Sequence, residues 1–143
     1  MTVTSRPVRS TWVRATLIAG SLYLLIGLVA AKLAGGVWGP PMRFWRGAAW
    51  LLSAIVFGIH VARDRIRIRY SATSTAAHAA LGAALGAFGL AVSATIHGYR
   101  VGTPHLRALK LSLLVWPLMT AVPAFVVAFI AAVALRRESE VVS

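Results

Sequence analysis

Four long apolar runs, separated by short polar or glycine- and proline-rich breaks, make up most of this chain. They cover residues 15–34, 44–62, 76–97 and 109–135. About 20 helical residues, at roughly 1.5 Å each, match a hydrocarbon core about 30 Å thick. No Asp or Glu falls inside any of the four, as expected where a charge meets hydrocarbon. The pattern predicts an all-α membrane protein, a single domain over residues 1–143 folded as a bundle of four transmembrane helices.

The breaks carry the residues that stop and start helices. Gly35, Gly36, Gly39, Pro40 and Pro41 separate the first two runs. Ser71, Thr73, Ser74 and Thr75 offer caps for the third. Gly98, Gly102 and Pro104 mark the last turn, with Thr103 a cap for the fourth run. Arg136 and Arg137 suit the end of a helix. Trp38, Trp45 and Trp50 gather near one boundary, as interfacial aromatics do. A cleaved signal peptide competes for the first run, with Val29-Ala30-Ala31 as its site. The run is longer than the usual h-region of about 7–15 residues, so a retained span is expected.

Composition agrees with the pattern. The chain is 59% hydrophobic and 13% charged, with a net charge of +12. Basic residues flank the apolar runs, so the expected polyanion is a surface of anionic lipid headgroups and not nucleic acid. The absence of cysteine removes disulfides, thiolate catalysis and Cys-ligated metals. Nine of the 15 Lys and Arg fall on the side holding both termini and the second connector. That bias predicts cytoplasmic termini in a multi-pass protein of the bacterial inner membrane.

Two spans carry packing signals. With His78 at zero, Gly82, Gly86, Gly89, Ser93 and His97 fall within an arc of about 100°. Gly82 and Gly86 form a GxxxG pair, so this face is expected to pack closely against another helix, with self-association as the alternative. Pro117 and Pro123 each remove a backbone donor from the fourth span and are expected to kink it. Thr120 lies between them, placed to satisfy a freed carbonyl.

The histidines are the main candidates for chemistry. His60 ends the second span and His78 opens the third, so antiparallel helices bring them to one depth. As a cofactor-binding pair they would suit the iron of a b-type haem. As polar groups near the interface they would be anchors or helix caps. His97 and His105 share the opposite side. His78 and His97 lie about 28 Å apart along a helix, which argues against two haems stacked in the core. No metal site is expected, because histidines alone would lack neighbouring carboxylates or thiols. Asp64 is expected to pair locally with Arg63, Arg65 or Arg67. In the connector from Arg63 to Tyr70, a period-two alternation would lay Ile and Tyr into the interface and turn Arg63, Arg65, Arg67 and Arg69 to phosphates. The alternative is that the second helix continues to about Arg67.

Trp45, Trp50, Ser53, Phe57, His60, the Arg-rich connector, His78, Gly82, Gly86, Phe88 and His97 together resemble a set of small uncharacterised four-span bacterial membrane proteins. The resemblance implies a four-helix membrane fold and no activity. The expected function is a non-enzymatic accessory, scaffold or interaction component, as a homo-oligomer or beside another membrane subunit, without cofactor. Electron transfer through haem b at His60 and His78, and permeation of a small solute or ion, stand as the alternatives.

Overall fold

The computed structural model describes residues 8–35 and 40–141. Four helices follow in order: α1 (Val8–Leu33), α2 (Pro40–Ala62), α3 (Ala72–Arg100) and α4 (Leu106–Val141), and a π-helical turn (Arg63–Arg67) extends α2. No strand occurs among the described residues. All four helices are long and apolar enough to cross a membrane, over Thr11–Leu33, Met42–Arg67, Ala72–Arg100 and Leu106–Leu135. The chain is thus an all-α, four-helix, multi-pass membrane protein. All four helices begin before their apolar stretches, and α3 and α4 also end beyond them. Arg6, Gly36, Trp38 and Gly39 lie outside the described residues, as do the side chains of Arg136 and Arg137.

The central element is α3. In it 44% of the most apolar stretch lies inside the bundle, against 11–17% for the other three spans. It packs against α1 on one side and α4 on the other, while α2 leans mainly on α1. The sequence explains why α3 takes this place. An added Cβ at Gly82 would stand 3.4 Å from the Ala19 Cβ, and one at Gly86 would stand 2.5 Å from the Tyr23 Cβ. Gly89 faces the Leu24 side chain, and Gly20 returns the contact by facing Leu85 and the Gly82 carbonyl. The expected glycine face is therefore an α1–α3 seam within the chain, which small residues allow to close tightly. Ser93 lies half-buried farther along α3.

On the α4 side, buried Thr95 donates its hydroxyl to the carbonyls of Ala91 (2.8 Å) and Leu109 (3.2 Å). Gly102, with φ of 64°, makes the α3–α4 turn, a conformation natural to glycine. Thr103 accepts from the His105 backbone N–H at 3.4 Å. Helix α4 runs as one element through Pro117 and Pro123. Thr120 does not serve the carbonyls those prolines free. Its hydroxyl donates to the Trp116 carbonyl at 2.7 Å, one turn back on its own helix.

Candidate functional site

The polar groups of the bundle meet where α2 gives way to α3. The π turn accounts for this meeting. The Ile68 N–H donates to the Arg63 carbonyl at 3.3 Å, an i→i+5 bond that accommodates an extra residue in the last turn. Arg69 then takes φ of 58°, and the Tyr70 N–H closes back on the Asp64 carbonyl at 3.1 Å. Ser71, in extended conformation, accepts from the Ser74 N–H at 3.1 Å and caps α3. The helix thus continues to Arg67, as in the alternative reading of the connector, and the period-two alternation is not what forms.

Asp64 is completely buried as a result. Its Oδ2 lies 3.0 Å from His78 Nδ1, so the ring nitrogen donates to the carboxylate. This corrects the expected pairing with Arg63, Arg65 or Arg67: the π turn rotates the carboxylate inward, and a buried charge needs a buried partner. Trp12 of α1 stacks on the His78 ring, with centroids 4.8 Å apart and planes 5° from parallel. Tyr70 meets the same ring edge-on at 5.0 Å. His60, only 6% exposed, lies within electrostatic reach of both Asp64 and His78. Neither histidine is a solvent-facing anchor. His97 and His105 are exposed near the other end of α3.

The Arg row divides. Arg63, Arg67 and Arg69 are exposed, consistent with a headgroup-facing role. Arg65 is half-buried and turns inward: its Nε donates to the Ala132 carbonyl of α4 at 2.9 Å, and Nη1 donates to the Tyr70 carbonyl. Arg65 therefore ties the connector to α4 and leaves the lipid-facing set.

Several buried polar atoms of this region have no hydrogen-bond partner among the described residues: Asp64 Oδ1, His60 Nε2, Tyr70 OH and Thr75 Oγ1. An imidazole–carboxylate pair with a second imidazole close by can hold a proton or fix the register of two helices. Among the described residues no three His, Asp or Glu side chains are grouped to hold a metal ion. The Asp64 bond engages Nδ1 of His78 and leaves Nε2 outside that pair, while Trp12 and Tyr70 pack on the ring.

Sequence reasoning found both histidines but missed Asp64 and Arg65 as members of the site. The available signal was the four-residue spacing of His60 and Asp64, which places them on one helical face. No protein-family model, curated protein or solved structure matches this chain.

Proposed function

We propose that this chain is a non-enzymatic accessory component of the bacterial inner membrane, both termini cytoplasmic, that binds another membrane helix through the outer face of α2. The partner helix belongs to a second copy or to another subunit. The observation that carries this reading is the open space at Gly47 and Gly58, where an added Cβ would meet nothing within 4 Å. Glycine inside a helix costs roughly 0.5–1 kcal/mol relative to alanine. Gly20, Gly82 and Gly86 offset that cost by close packing within the chain. Gly47 and Gly58 gain nothing of the kind unless another helix comes up to them.

The surrounding surface supports the same reading. With Gly47 at zero, Trp50, Leu51, Ala54 and Gly58 fall within an arc of about 100° centred near it. All four are exposed, Trp50 by 78%. Trp50 also lies about 7 Å from the midpoint of its span, inside the apolar layer and away from the interface that tryptophan favours. A large exposed aromatic beside small residues suits an anchor on a partner helix. Meanwhile Asp64, His78 and Arg65 brace the bundle internally.

The chain has no cysteine, so single-cysteine variants test this directly. Ala54→Cys labelled with a thiol-attached photo-crosslinker in native membranes should link to a neighbouring chain, while Val127→Cys on the exposed face of α4, labelled in the same way, should not. Equal cross-linking at both positions, or none at either, rejects the reading.

A further inference from the structure

A crevice of about 150 Å³ runs between α1 and α2. Ala15, Ile18, Ala19 and Leu22 form one wall, and Val56, Ile59, His60 and Arg63 the other. The two helices are antiparallel, so its polarity is graded along the membrane normal. Leu22 and Val56 line the deep end, while His60 and Arg63 stand at the end next to the connector. The whole crevice, from Val56 to Arg63, extends about 10 Å along the helices. One end is chemically like an acyl chain's surroundings and the other is cationic and hydrogen-bonding.

His60 lines the crevice with its ring, while its Nε2 is sealed inside the bundle without a hydrogen-bond partner among the described residues. The feature that points to a ligand is charge. Arg63 is exposed and has no carboxylate partner among the described residues, because Asp64 is turned inward to His78. A guanidinium at the polar edge of an apolar crevice matches a phosphate geometrically and electrically.

We propose that the α1–α2 crevice is a binding site for an anionic phospholipid. One acyl chain lies along Ile18, Leu22 and Val56, and the phosphate meets Arg63. The site faces away from the Gly47–Gly58 face, so it stands independently of the association described above. It differs from diffuse attraction to the Arg-rich connector because one arginine and one apolar crevice carry it.

The test is native mass spectrometry of the protein released from vesicles containing equal phosphatidylglycerol and phosphatidylcholine. The wild type is expected to retain one phosphatidylglycerol with about tenfold preference, because the choline cation of phosphatidylcholine offsets the attraction of its phosphate to Arg63. Arg63→Gln, at an exposed position, should abolish the preference. Val56→Trp should fill the crevice and reduce retention of both lipids, and Arg67→Gln should change neither. Four results overturn the proposal: no retained lipid, equal retention of the two lipids by the wild type, an equal effect of Arg63→Gln and Arg67→Gln, or release of the lipid by millimolar inorganic phosphate. The last would assign the chemistry to a free anion.

Discussion

Asp64 and His78, fourteen residues apart, meet at 3.0 Å and join the end of α2 to the start of α3. A buried imidazole–carboxylate pair adds little net stability over a well-packed apolar pair, but it is costly to break from one side. Its value here is register. With Trp12 stacked on the imidazole, the same ring fixes α1 against α3 as well.

Removing the carboxylate should therefore destabilise the bundle strongly. Asp64→Ala is expected to cost about 1–3 kcal/mol, since it leaves the His78 ring without its partner in a buried setting. Thermal unfolding in mild detergent measures this. A melting temperature equal to that of the wild type would mean that the pair does not hold the helices.

The two classes of glycine should respond oppositely to alanine. At Gly86 the added Cβ would stand 2.5 Å from the Tyr23 Cβ and 3.2 Å from the Gly20 carbonyl. Overpacking of that kind costs about 1–3 kcal/mol. Gly58→Ala meets open space and should raise the stability of the isolated chain by about 0.5–1 kcal/mol through helix propensity. Equal effects at both sites in the unfolding assay would refute the assignment of α1–α3 as the internal seam.

Neighbouring arginines should also separate. Arg65→Ala removes the donor to the Ala132 carbonyl and should cost about 1–3 kcal/mol. Arg67→Ala, at an exposed position, should stay within about 0.5 kcal/mol of the wild type. Proteolysis of the connector gives a second readout, with faster cleavage expected for Arg65→Ala only.

The four spans were legible because the bilayer imposes one strong requirement: long apolar helices interrupted where charge and glycine cluster. The Gly82–Gly86–Gly89 face was legible for a similar reason, since periodicity alone places those residues together. Asp64 was not. In sequence it sits between Arg63 and Arg65, and proximity suggests a local ion pair. Its burial depends on the π turn, whose extra residue appears in no composition or period. Arg65 was misplaced for the same cause, as the rotation that hides Asp64 also aims Arg65 at α4. The open face of α2 was hidden too, because in a membrane helix the side turned to neighbours and the side turned to lipid are both apolar, and tertiary packing decides between them.

Association through α2 is tested most directly by the mass of the purified particle across a dilution series in mild detergent. The wild type should persist as a dimer, or with a co-purifying membrane subunit. Gly58→Leu, which fills the open face, should reduce it to a single chain of 15.2 kDa. A wild-type particle of one chain at every concentration, with nothing co-purifying, would contradict the account.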